Sequence, residues 1–343
     1  MPVKTMPPVT AAMAGAACIS SSAVLMRLAS TSASITALGR CGFALPVLGA
    51  LAFAERRHGA PRLRSRSRWL ARLAGVFLAG DLILWSHAIS AIGAGLGTVV
   101  TNLQVLIISF LAWAVLGERP RRSLVLASPV MLAGLALVGG VGGLGGRDAY
   151  GTDPSLGVVY GVGVAILYAI YILMLRQATS SGQATSSRDG TRTAVAAVLF
   201  EATAGATAAS VILGLALRDF HLGAAWPALG WLALLALTSQ VLGWLLITVS
   251  MPRLPAGVIG ALLLVQPAGS VALSYVILGE RPSAFQLLGV ILVLTGVLVA
   301  VTGKAAQDED HAPRVGRVEG QVGVEVPVAG FEAEPARQPD RSG

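Results

Sequence analysis

Asp81 is the residue in this sequence with the most chemistry to offer, because it stands near the centre of a long apolar run with no basic neighbour at helical spacing. An aspartate at that depth in a membrane costs about 2.5–3.5 kcal/mol, so its carboxyl must be paired, protonated or open to a polar cavity. Such a group can hold a proton and release it. Trp85 follows four residues later and Ala88 seven later, which places all three on one helix face. Gln240 and Trp244 repeat the four-residue spacing in another apolar run and offer the same mixture of hydrogen bonding and aromatic surface. Gln104 and Gln266 each stand midway along an apolar run, where an unpaired amide costs several kcal/mol and must face another helix or a water-containing cavity. Tyr168 and Tyr171 are three residues apart and suit either a cavity wall or packing. Asn102 lies about 200° around the helix from Gln104 and is expected to bond a neighbouring helix.

Simpler roles are open to each of these groups. Asp81 can be a protonated acid bonded to a backbone carbonyl, and the glutamines can join helices. His87, six residues beyond Asp81, reads as an interfacial hydrogen-bonding group. Glu201 is a second carboxyl inside an apolar run and a weaker candidate for proton coupling. No His-Glu-x-x-His, Gly-x-Ser-x-Gly or Gly-Lys-Ser/Thr phosphate loop occurs, so neither a metal, a cofactor nor ATP-driven chemistry is expected of this chain. Cys18 and Cys41 read as two small buried side chains rather than a disulfide. A membrane-embedded enzyme built on Asp81, His87 and Glu201 would lack a nucleophile and its base.

The elements that must position these groups are membrane helices. Of 343 residues, 55% are hydrophobic, 12% are charged and 41 are glycine, more apolar surface than a soluble fold of this size can bury. Ten apolar segments are predicted: 9–29, 35–54, 70–91, 95–117, 122–142, 156–175, 193–217, 229–250, 255–278 and 284–303. Each is long enough to cross a hydrocarbon core of about 30 Å. The net charge of +8 is carried mostly by arginines in short loops, above all in 55–72, which places that loop and both termini in the cytoplasm and leaves no nucleic-acid partner to invoke. Arg40 is counted with the external side, near a helix end. The glycine-rich stretch 139–154 reads as a flexible external linker, 177–192 as a polar internal loop, and the chain from 304 to 343 as a disordered cytoplasmic tail.

Leu116-Gly117-Glu118-Arg119-Pro120 returns 162 residues later as Leu278-Gly279-Glu280-Arg281-Pro282. The same offset brings Ala94-Gly95 onto Ala256-Gly257, Gln104 onto Gln266 and Gly134 onto Gly296. Each repeat holds five spans, and an odd number turns the second copy over. Glu118 and Glu280 are then expected at opposite faces, each before the first turn of the following helix, with Pro120 and Pro282 tolerated in that turn as corner or gate-edge residues.

Paired five-helix units with a midspan polar position ahead of a Leu-Gly-Glu-Arg-Pro hinge resemble the drug/metabolite transporter superfamily, in its ten-helix form with two EamA-type repeats. The similarity covers 9–303. It implies an all-α polytopic membrane protein, ten transmembrane helices as two inverted five-helix repeats, with 9–142 and 156–303 as the repeats and 143–155 between them. It further implies a carrier, not an enzyme, that exports small organic metabolites, amino-acid-like or amphipathic; the midspan Asp81, from its own chemistry, makes protons the candidate coupling ion. Segments three, four, eight and nine would surround a cavity lined by Asp81, Trp85, Gln104, Tyr168, Gln240, Trp244 and Gln266. The family's midspan proline is present at Pro267 and replaced by Val105 in the first repeat, which argues against a symmetric kink. A non-transporting scaffold or sensor is the alternative. The oligomeric state is not encoded in any feature of the sequence.

Overall fold

A computed structural model describes residues 7–60, 62–117, 122–140, 150–183, 195–220, 226–250, 254, 262 and 264–310. Among them every regular element is helical. The first five segments are Pro8–Ser20 (α1) with Ser22–Ala29 (α2), Ala33–Gly42 (α3) with Leu45–Arg57 (α4), Ser65–Ile92 (α5), Ala94–Thr101 (α6) with Gln104–Leu116 (α7), and Arg122–Val138 (α8). The second five are Pro154–Gln183 (α9), Val195–Ala216 (α10), Ala228–Leu235 (α11) with a π-helical turn Ala236–Gly243 and Trp244–Ser250 (α12), Val265–Leu273 (α13) with a π-helical turn Ser274–Leu278, and Ala284–Asp310 (α14). Seven of these segments have the length and hydropathy of a membrane crossing, and three shorter apolar helices bring the described segments to ten.

Several breaks within segments have readable causes. Pro46 sits in the first turn of α4, where its missing N–H costs nothing, and so ends the helix before it. In segment four the break comes from polar side chains. Thr101 Oγ1 and Asn102 Nδ2 both donate to the Thr98 carbonyl, at 2.7 and 2.9 Å. The backbone then tightens to three-residue bonds, Asn102 N to Val99 O and Leu103 N to Val100 O, before α7 opens at Gln104. Asn102 therefore bonds its own helix, not a neighbour. The second repeat opens α13 at the corresponding place, with Pro267 in its first turn.

Segment boundaries move where good helix formers continue past the apolar run. α5 begins at Ser65, so Arg66, Arg68 and Arg72 belong to its first turns rather than to a loop. α9 continues to Gln183, into the stretch expected to be a loop, and α14 to Asp310, carried past Gly303 by the helix formers Lys304, Ala305, Ala306 and Gln307. The tail beyond Asp310 lies outside the described residues. The part of the 139–154 linker that is described beyond Gly140 is tied down: Asp153 N donates to Ala91 O at 3.1 Å, and Tyr150 N to Gln286 Oε1 at 2.8 Å.

Matched helices of the two halves exchange acid caps. Glu55 at the end of α4 accepts from Ala196 N and Ala197 N, at 3.0 and 3.3 Å, at the start of α10. Asp219, just past the end of α10, accepts from Ser34 N at 3.0 Å, at the start of α3. Ser34 and Ala196 are themselves 162 residues apart. A carboxylate opposite free backbone amides at a helix start is favourable, and the reciprocity is what a two-fold relation between halves requires. Segments five and ten pair in the same manner: Gly134 and Gly289 let α8 and α14 approach backbone to backbone, a Cβ on Gly134 standing 2.7 Å from Gly289 O.

Candidate functional site

Four elements meet at Arg40. α3 carries Arg40 and Cys41, α5 carries Asp81 and Trp85, α9 carries Tyr168 and Tyr171, and the π-helical turn of segment eight carries Gln240. Arg40 Nε donates to Gln240 Oε1 at 3.1 Å, and the guanidinium carbon stands 5.6 Å from the Trp85 ring centroid. Arg40, Asp81, Trp85 and Gln240 are 7, 5, 8 and 6% exposed, deep enough that any unmet polar atom carries a desolvation cost. The Tyr168 and Tyr171 rings pack on one another at 5.7 Å between centroids, Tyr171 buried and Tyr168 half-buried.

Three polar atoms of this cluster have no hydrogen-bond partner among the described residues: Arg40 Nη1, Asp81 Oδ1 and Trp85 Nε1. Arg40 and Asp81 lie within electrostatic reach of each other, with Cys41, Tyr168 and Tyr171 in the same field. They do not close into an ion pair; the salt bridge found among the described residues is Arg72 to Glu201. An acid and a base held near one another in low dielectric, each with an open atom, can bind a polar solute or exchange a proton.

The family model for EamA-like transporters matches residues 6–140 and 155–302. The chain belongs to the EamA-like transporter family. It is therefore a polytopic membrane protein of a transporter family, matched over two EamA-type repeats. Among solved structures, one titled "Crystal structure of protein" superposes with a TM-score of 0.56 at 18% identity, covering 88% of this chain and 98% of that one, a likeness of fold. No curated protein matches the sequence.

In this EamA-like protein the expected site residues divide into groups. Asp81, Trp85, Tyr168 and Gln240 come together around Arg40. Trp244 follows the π turn as the first residue of α12 and is half-buried. Gln104 and Gln266 are both half-buried at the openings of α7 and α13, and neither hydrogen-bonds to the Arg40 cluster. Glu201 is an ion-pair partner, its Oε2 2.7 Å from Arg72 Nε. His87 is exposed and stacks on Tyr160 at 5.5 Å between centroids.

Glu280 corrects the expected reading of the hinge acids. Its carboxylate does not serve the helix that follows it. Oε1 accepts from Ala94 N at 2.7 Å and Oε2 from Gly95 N at 3.1 Å, capping α6 in the opposite repeat. Gly93, at φ 95°, leaves the room, since a Cβ there would lie 2.9 Å from Glu280 Oε2. α14 has its own cap: Ser283 Oγ accepts from Gln286 N at 3.3 Å while Gln286 Oε1 accepts from Ser283 N at 3.0 Å. That Ser-x-x-Gln spacing was readable in the sequence and would have freed Glu280 for another partner. Pro282 is half-buried between the two, while Glu118 and Pro120 lie outside the described residues.

Arg40 is the residue that sequence reasoning missed. Counted with the external side as a charge near a helix end, it is instead buried among the helices. The available signal was a second intramembrane charge, opposite in sign to Asp81 and in the same repeat.

Proposed function

We propose that this protein is a secondary active transporter of the cell membrane that exports small organic metabolites, amino-acid-like or amphipathic, by alternating access. Its repeats are 9–142 and 156–303, with 143–155 between them outside the cell and both termini, including the tail from 304, in the cytoplasm. The observation that carries this reading is the buried cluster of Arg40, Asp81 and Trp85 from the first half with Gln240 from the second, in which the first three leave polar atoms open among the described residues. A carrier needs a solute site between its two halves, which is where relative movement of the halves can expose it to either side. The substrate cavity takes in Asp81, Trp85, Tyr168, Gln240 and Trp244, with Gln104 and Gln266 at the openings of α7 and α13. Asp81 is the proton-coupling group, within electrostatic reach of Arg40, Cys41, Tyr168 and Tyr171. Reaction chemistry has no place in this reading, and no cofactor is required.

Purified protein reconstituted into liposomes tests it. Vesicles preloaded with a metabolite mixture should release or exchange members of that mixture without ATP, and an imposed pH gradient should drive accumulation. A protein that inserts correctly yet moves none of a broad mixture at rates above empty liposomes would be a scaffold or sensor.

A further inference from the structure

Arg40 is poorly accounted for by the fold alone. Gln240 holds Nε, the Trp85 face lies beside the guanidinium, and Nη1 is buried with no acceptor among the described residues. A second donor in the same place, Trp85 Nε1–H, is equally unmet. Asp81 is the obvious internal partner, but it does not pair with Arg40, and its own Oδ1 is left open. One ion pair would have satisfied both side chains. The fold withholds it and keeps two unmet donors in one buried cluster, an arrangement that carries a desolvation cost until an acceptor arrives.

We propose that Arg40 is the anion anchor of the transport site, its guanidinium and the Trp85 indole N–H together receiving the carboxylate of a small monocarboxylic substrate. This rests on the carrier reading above and narrows its substrate class. A planar guanidinium presents paired N–H groups that match the two oxygens of a carboxylate, which an ammonium does not. Gln240 fixes the guanidinium's orientation by holding Nε. A phosphate is disfavoured, since its second negative charge would meet Asp81 with a single buried arginine to balance both. The aromatic faces of Trp85 and Tyr168 are left for the organic part of the molecule.

The test uses the full chain purified in detergent, with melting temperature followed across a panel of aliphatic and aromatic monocarboxylates, each paired with its primary amide. Carboxylates should raise the melting temperature at millimolar concentration, and their amides should not. Arg40→Gln should weaken the apparent affinity about a hundredfold or more, with Arg40→Lys intermediate because it keeps the charge and loses the fork. Trp85→Phe keeps an aromatic face but removes the indole N–H along with part of the ring, so it should cost about tenfold for acids. That variant carries the test if Arg40→Gln does not fold. Equal stabilisation by acids and amides, an unchanged response in Trp85→Phe, or a wild-type protein that responds to no carboxylate in the panel would each overturn the anchor. The same compounds loaded into proteoliposomes separate the two readings: binding without flux removes the carrier and leaves the anchor, whereas flux of amides but not acids removes the anchor and leaves the carrier.

Discussion

At the scale of single residues, Asp81 and Arg40 show how differently two buried charges can be read. An acid inside an apolar run stands out because nothing else explains it. An arginine a few residues inside a run has a ready explanation in topology, and the tally of positive charges absorbed Arg40 into it. The outcome matters for coupling, because Asp81 faces a fixed cation rather than a purely apolar wall. Asp81→Asn retains the size and most hydrogen-bonding capacity but cannot titrate. It should abolish accumulation driven by a pH gradient while downhill exchange of the same substrate remains measurable in proteoliposomes. A correctly inserted mutant whose gradient-driven uptake matches wild type would remove Asp81 from the coupling role. Gln104→Ala or Gln266→Ala should instead weaken substrate affinity in both assays, through the loss of a solute contact. Asp153 makes a useful control for pH. Its carboxyl accepts from Leu156 N and Ser155 Oγ, which holds it below the usual aspartate range. That cap is complete above the ordinary pKa and is lost only as pH falls through the lowered one. Asp153→Ala should therefore lower the melting temperature by the same small amount at pH 5 and at pH 8.

At the scale of elements, hydropathy made ten apolar segments legible, and side-chain chemistry decided what they do internally. The break at residues 101 to 103 arises from Thr101 and Asn102 competing for one carbonyl, which a proline search overlooks. The π-helical turn around Gln240 leaves no sequence signature at all; it exists because segment eight packs on its neighbours there, with Gly243 against Ile19 and Ser239 bonded to Ser22. Glycine identity is more informative. Gly75 crosses the backbone of α10 at Ala202 and Ala206 with no space for a Cβ, whereas Gly117, at φ 72°, has nothing within 4 Å. Gly75→Ala must push two helices apart and should abolish the folded peak in size-exclusion chromatography or lower its melting temperature steeply. Gly117→Ala carries only the left-handed backbone penalty of about 1 kcal/mol, a shift of a few degrees. Equal effects would mean that α5 and α10 do not cross at Gly75. Glu280→Gln sets an amide N–H against Gly95 N–H and should cost roughly 1–3 kcal/mol of stability, read as a lower melting temperature that Glu280→Asp partly restores.

For the whole molecule, the internal repeat was the most legible feature, and what it could not disclose was which partner each matched residue takes. Glu55 and Asp219 lie near the ends of matched helices, and each caps the start of the other's helix. Those two caps sit at opposite ends of the segment two and segment seven pair, so inversion of the repeats is written into the contacts as well as into the offset. An even number of crossings then returns both termini to one side. We propose that this side is the cytoplasm, because the loop and first helical turns from Arg56 to Arg72 hold seven arginines and positive clusters favour that side. Ser65 and Thr152 are exposed and lie on the two sides of this arrangement, at the start of α5 and just before α9. Single cysteines at those positions, in a background with Cys18 and Cys41 replaced, should react oppositely in intact cells. An impermeant maleimide should label Thr152→Cys from outside and reach Ser65→Cys only after permeabilisation. Labelling of Ser65→Cys in intact cells would reverse the orientation, and with it the direction of export, while leaving the inverted pairing of the two halves untouched.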